Sequence, residues 1–165
     1  MTKEAYLLTG SNLYTPSMQL VTARRWIDNT IAPVVKASSI YETEPWGDNE
    51  QPVFLNQVLA ISASEEPLTI LRQLLRIEEK MGRVRNTKWG PRLIDIDILL
   101  YSDFTLTTEE LTIPHPRIPE RRFALVPLCE IAGDVLHPVL AKTMNQLLEE
   151  CSDPLEVQTF QPYNE

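Results

Sequence analysis

Two aspartates one residue apart, Asp95 and Asp97, stand in the run Leu93-Ile94-Asp95-Ile96-Asp97-Ile98-Leu99-Leu100. An extended chain turns successive side chains to opposite faces, so the two carboxylates share one face and Ile94, Ile96 and Ile98 take the other. Their Cα atoms then sit about 6.6 Å apart, twice the rise per residue. Carboxylates at that spacing can grip one magnesium ion or bridge a pair. The same alternation also fits a strand with one solvated face, so the neighbours decide what the pair can do.

Those neighbours are cationic. Residues 72–92 hold Arg72, Arg76, Lys80, Arg83, Arg85, Lys88 and Arg92 against Glu78 and Glu79, and residues 117–122 add Arg117, Arg121 and Arg122. Ten of the fifteen basic residues thus fall in two short stretches of a chain whose net charge is −8. The overall charge argues against general nucleic-acid binding, whereas a positive focus on a negative body suits a compact polyphosphate. Arginine keeps its charge and offers phosphate oxygens a planar fork of donors. Arginine and a carboxylate-held metal together neutralise charge in phosphoryl transfer. A purely structural arginine–aspartate network is the competing reading. The five glycines, at 10, 47, 82, 90 and 133, match neither common nucleotide-binding loop, so arginines and metal would have to hold a nucleotide.

A second constellation is Phe54 and Asn56, which an extended chain places on one face. A ring that stacks beside an amide that donates and accepts suits a flat heterocycle, although the pair taken alone favours a core phenylalanine beside a solvated asparagine. His115 lies in the stiff setting Pro114-His115-Pro116.

Elements that position these groups follow from hydrophobic period and punctuation. Ala5–Thr9 reads as a strand ending in the turn Gly10-Ser11-Asn12. Thr15-Pro16 reads as an N-cap followed by proline at the first helical position, with Leu20, Ala23 and Ile27 continuing a helix to about Asn29. Val34–Thr43 reads as a second strand, residues 44–52 as a loop, Val53–Ser62 as a third strand. Pro67 opens a helix with Leu68, Leu71, Leu74, Leu75 and Met81 along one face. Residues 82–92 read as an irregular loop and Leu93–Tyr101 as a fourth strand. Short helices are expected near Arg122–Ile131 and Lys142–Glu150, with the stretch after Asp153 undetermined. The order strand-helix-strand-strand-helix-strand predicts an α+β, ferredoxin-like sandwich of an antiparallel sheet and helices.

A chain of 165 residues with 43% hydrophobic content suits one domain with a real core. The two cysteines, Cys129 and Cys151, fit no metal or redox spacing and read as reduced thiols. The start lacks the features of a signal peptide and no apolar run is long enough to span a membrane, which predicts a cytoplasmic protein.

Taken in order, the motifs resemble those of the 6-hydroxymethyl-7,8-dihydropterin pyrophosphokinases of folate biosynthesis. They are Gly10-Ser11-Asn12-Leu13, Thr43-Glu44-Pro45-Trp46-Gly47, Phe54-Leu55-Asn56 and Gly82-Arg83-Val84-Arg85. Trp89-Gly90-Pro91-Arg92 ahead of Asp95 and Asp97, Pro114-His115-Pro116-Arg117 and Arg121-Arg122-Phe123 complete the set. The resemblance implies a single pyrophosphokinase domain over residues 1–165, acting as a monomer on ATP and the pterin. It implies that Asp95 and Asp97 bind two Mg2+ ions. Phe54 and Phe123 would sandwich the pterin, with Asn56 and Thr43 hydrogen-bonding it and Trp46 and Trp89 closing over it. Glu78, Arg85, Arg92, Ile98, Thr112, His115 and Arg121 would contact ATP, while Arg83, Arg92 and Asp97 would take catalytic parts. By that likeness the hydroxymethyl oxygen attacks the β-phosphorus and AMP leaves. Phe54 keeps a stacking face without the hydroxyl of the tyrosine common there, and Glu110 stands where the family can carry a base.

Two other readings fit single features. Paired aspartates also occur in nucleotidyl- and glycosyltransferases. A non-enzymatic ferredoxin-like module could regulate or bind RNA, but the aromatic pattern of the RNA-binding version is missing.

Overall fold

The computed structural model describes residues 1–44, 52–83 and 92–161. The chain runs β1 (Lys3–Ser11), α1 (Pro16–Thr30), β2 (Val34–Ala37), β3 (Tyr41–Thr43), β4 (Phe54–Ala63), α2 (Pro67–Lys80) and β5 (Asp95–Tyr101). A small hairpin of β6 (Leu106–Thr107) and β7 (Thr112–Ile113), then α3 (Arg122–Ala132), α4 (Met144–Glu150) and β8 (Val157–Thr159) complete it. The main sheet has the order β5-β1-β4-β3-β8, with β2 also paired to β4. Every pairing within it is antiparallel, which is the α+β, ferredoxin-like arrangement that the element order predicts.

The sheet is covered on both faces. Leu20, Ala23 and Ile27 of α1 and Ile70, Leu74 and Ile77 of α2 pack on Leu7, Leu59, Ile61, Ile94, Ile96 and Ile98. Leu125 and Leu128 of α3 and Met144 and Leu147 of α4 pack on Tyr6, Leu8, Val58 and Ala60. Alternation along each strand therefore serves two cores, and the isoleucines around Asp95 and Asp97 bury on the α1/α2 side as the period requires. Where a strand carries an extra residue the alternation breaks: β5 slips register against β1 between Tyr6 and Leu7, and both Leu99 and Leu100 reach the α3 side.

Five expectations need correction. Gly10 and Ser11 are paired residues of β1, not a turn. Helix α2 buries Ile70, Leu74 and Ile77 rather than the face of Leu68, Leu71 and Leu75. The single strand at 34–43 is two strands, both paired to β4, interrupted at Ser38. There the Ser38 hydroxyl accepts the Val58 N–H at 3.0 Å while its own N–H donates to Val58 carbonyl at 2.9 Å. A side chain thus replaces a backbone partner and the ladder breaks. Thr15 precedes Pro16 as expected, but it sits in the left-handed region at φ 57° and its side chain caps nothing. Finally, the segment after Asp153 has structure: β8 adds to β3, with Thr43 opposite Val157. No helix among the described residues is long and apolar enough to cross a membrane.

Candidate active site

The register of three strands assembles the site. Gly10 on β1 lies opposite Asp95 on β5 and Asn56 on β4, and Leu8 lies opposite Asp97. Thr43 on β3 lies opposite Phe54. Asp95, Asp97, Phe54 and Asn56 therefore project from one end of the sheet on the α3 side. Gly10 is required by close approach: a Cβ there would come 2.5 Å from the Asn56 Nδ2. That amide donates to the Thr9 carbonyl at 3.2 Å, which holds Asn56 across the gap the glycine leaves.

The end of α2 delivers Arg83. Gly82 takes φ 94°, a conformation that favours glycine, and the helix closes with Gly82 N–H donating to the Glu79 carbonyl and Arg83 N–H to the Glu78 carbonyl. This reversal folds Arg83 back on its own helix. Its guanidinium donates to Glu78 Oε1 at 2.8 Å and to Asp95 Oδ1 at 2.7 Å. Glu78, 2% exposed, also accepts the Ile96 N–H at 2.7 Å. A nearly buried arginine therefore ties helix to strand through two acids. Arg92 reaches the other Asp95 oxygen at 3.0 Å. Asn12 staples the frame: its side chain accepts the Arg92 N–H at 2.7 Å, its own N–H donates to the Arg92 carbonyl, and its amide donates to the Pro52 carbonyl.

Asp97 is different. It makes no hydrogen bond or ion pair among the described residues. Desolvation, then the charges of Asp95 and Glu78, push its carboxyl up to about 7, while Arg121 and Arg92 pull the other way. A carboxylate with no partner among the described residues, beside one held in place by two arginines that keeps lone pairs to spare, is a good acceptor for a cation. Among the described residues no cluster of three or more acidic, histidine or cysteine side chains could hold a metal. Two carboxylates alone suit Mg2+, which keeps waters and shares substrate phosphates rather than requiring a full protein cage. The residues fit the ion.

Arg121 and His115 face the same acids. Burial lowers the pKa of Arg121, with Asp97 as its largest opposing charge. Burial and the charges of Arg121 and Arg117 push His115 down to about 4. Its Nδ1 accepts the Arg117 N–H at 3.2 Å, which leaves the proton of the neutral ring on Nε2. Arg121 also stacks over the Phe123 ring at 5.5 Å, joining the anion-binding and ring-binding groups. Thr43 Oγ1 is buried without a hydrogen-bond partner among the described residues, an open position for a ligand polar group.

The structure thus brings together Thr43, Phe54, Asn56, Glu78, Arg83, Arg92, Asp95, Asp97, His115, Arg121 and Phe123. Thr112 sits on β7, half-buried. Ile98 belongs to the α1/α2 core, on the face away from the aspartates, which leaves only its peptide group for contact with a ligand. Trp46, Arg85 and Trp89 lie outside the described residues. Asn12 and Arg122 stand in motifs that the sequence singles out, but the sequence assigns neither of them a role in the site.

A model of the 7,8-dihydro-6-hydroxymethylpterin-pyrophosphokinase family matches residues 6–133. The chain is 41% identical over 150 residues to 2-amino-4-hydroxy-6-hydroxymethyldihydropteridine pyrophosphokinase of Haemophilus influenzae, covering 90% of this chain and 93% of that one. It is 42% identical over 136 residues to the Bacillus subtilis protein of the same name, covering 82% and 81%. A similar fold occurs in the crystal structure of wild-type Plasmodium falciparum HPPK-DHPS with pteroate. The TM-score is 0.76 at 18% identity, over 91% of this chain and 44% of that one, so the chain spans less than half the length of that protein.

Proposed function

The chain belongs to the 7,8-dihydro-6-hydroxymethylpterin-pyrophosphokinase family, and from that premise we propose how its residues divide the work. The enzyme transfers a diphosphate from ATP to 6-hydroxymethyl-7,8-dihydropterin, giving the pterin diphosphate and AMP, a step of folate biosynthesis. The hydroxymethyl oxygen forms a bond to the β-phosphorus, the bond from that phosphorus to the α–β bridging oxygen breaks, and the hydroxyl proton is released.

Asp95 and Asp97 would hold Mg2+, two ions by likeness to the family. Bound there with ATP, the metal would supply charge neutralisation at the phosphates and Lewis-acid polarisation. The observation that carries this reading is the unpartnered Asp97 beside Asp95. Asp95, gripped by Arg83 and Arg92, is fixed in place before substrate arrives, so little ordering remains at the moment of transfer. Arg121 and Arg92 supply positive charge to the phosphates, and His115, kept neutral, offers Nε2–H as a donor. Glu78 acts through Arg83 and the Ile96 N–H, as a positioning residue. Phe54 and Phe123 sandwich the pterin, Asn56 and Thr43 hydrogen-bond its edge, and Trp46, Trp89 and Arg85 are assigned further contacts by likeness to the family. Residues 1–165 act as one domain, a cytoplasmic monomer.

The test is ATP carrying 18O in the α–β bridge. Attack at the β-phosphorus leaves that label in AMP, and the label should appear there only when the hydroxymethyl dihydropterin is present. Label in a released pyrophosphate, or AMP formed without the pterin, would exclude this reaction.

A further inference from the structure

Helix α3 opens without a cap of its own. Arg121, at the position before it, makes no side-chain hydrogen bond to the free N–H groups of the first turn. The first of those N–H groups, that of Arg122, donates instead to Asp153 Oδ2 at 3.0 Å. Asp153 comes from the segment after α4, is 6% exposed, and accepts the Leu155 N–H with its other oxygen at 3.0 Å. A carboxylate at a helix N-terminus also meets the positive end of the helix dipole. The contact is reciprocated: the Arg122 guanidinium donates to the Cys151 carbonyl at 2.9 Å and to the Asp153 carbonyl at 3.1 Å.

Two further features give this clasp a functional direction. Arg122 stands between Arg121 and Phe123, so the clasped turn is the one that presents the guanidinium and the ring of the site. Four residues beyond Asp153, the same segment becomes β8 and pairs with β3, with Thr43 opposite both Val157 and Phe54. One strap therefore binds the helix that carries Phe123 and, as the edge strand beside it, the strand that carries Thr43. Far along α3, Glu130 closes the other end by accepting from the Tyr41 hydroxyl and from the Ser39 N–H at 2.8 Å.

We propose that Arg122 and Asp153 are positioning residues for pterin binding: through the strap at residues 151–159 they set the spacing between the helix wall and the strand wall of the pterin slot. This rests on the pterin-slot assignment above. Arg121 shares the clasped turn, so ATP also loses some hold when the strap loosens, but Asp95 and Arg92 are fixed by Arg83 and Asn12 instead, so the loss for pterin should be the larger.

The experiment measures pterin and ATP dissociation constants separately, with KM for each and melting temperature, for wild type, Asp153→Ala, Arg122→Ala, the double variant and the milder Asp153→Asn. Loss of the cap contact is expected to raise the pterin Kd roughly fivefold in Asp153→Ala, with ATP Kd changed by less than about twofold. Asn can satisfy one of the two N–H groups, so Asp153→Asn should fall between, and it remains informative if the alanine variant fails to fold. The double variant should cost less than the product of the single effects, because both act through one strap. Equal losses for both ligands, or lower melting temperature with unchanged pterin Kd, would make the strap merely structural and overturn the proposal. Absence of pterin binding by the wild type would instead overturn the slot assignment itself.

Discussion

Asp97→Asn is expected to abolish turnover and, in metal-free buffer above neutral pH, to make the protein more stable. The folded carboxyl titrates near 7 against an ordinary 3.8. Between those values the folded state binds the proton and the unfolded chain has released it, so stability falls as pH rises through that window. Above pH 7 the full penalty of carrying a desolvated carboxylate beside Asp95 remains. Three pKa units correspond to about 4 kcal/mol as an upper bound. Asp97 retains partial solvent contact, and asparagine also loses the attraction to Arg121, so about 1–2 kcal/mol is the expected gain. For a chain of this length that is a rise of about 2–8 °C in Tm. The assay is denaturant and thermal unfolding of both proteins from pH 4 to 9 with chelator present. Near pH 4 the two should coincide, and the gap should open steadily to pH 8. A gap that is constant with pH, or an asparagine variant less stable at pH 8, would refute the claim that desolvation and charge repulsion strain this carboxylate.

Arg83→Ala should destabilise the fold by about 2–4 kcal/mol in urea unfolding, because it removes the guanidinium that pairs with the buried Glu78 carboxylate. Gly10→Ala should displace the Asn56 amide from the Thr9 carbonyl and raise pterin KM several-fold while leaving ATP KM nearly unchanged, read by steady-state kinetics. His115, titrating near 4 rather than 6.5, gives stability that is whole above about pH 6.5 and lost as pH falls through 4. His115→Gln should therefore shrink the acid loss by about 1–2 kcal/mol, measured as unfolding free energy at pH 4.5 and 7.5.

Much of this was legible because it is periodic. The alternation Ile94 to Ile98 announces both the strand and the shared face of the aspartates, and Leu20, Ala23 and Ile27 announce α1. The break between β2 and β3 was hidden because a serine hydroxyl there does the work of a carbonyl, which changes no hydrophobic pattern. Strand β8 was hidden because three residues acquire an extended form from a partner over a hundred positions away. The acidic pair and its arginines could be found from type and spacing. That Arg83 serves Glu78 as much as Asp95 could not, since it depends on the left-handed turn at Gly82. The parts played by Asn12 and Arg122 were hidden for a simpler reason: the contacts that define them are mostly to backbone atoms, which carry no sequence signature.

The central claim is that the Asp95–Asp97 pair runs diphosphate transfer, and the most direct measurement is AMP release by wild type and Asp97→Ala side by side. Both are assayed with saturating Mg2+, ATP and 6-hydroxymethyl-7,8-dihydropterin, after their folds are shown to match. Wild type should release one AMP per pterin diphosphate formed, and the alanine variant should release none above background. ADP in place of AMP, or a near-wild-type rate without the Asp97 carboxylate, would contradict it.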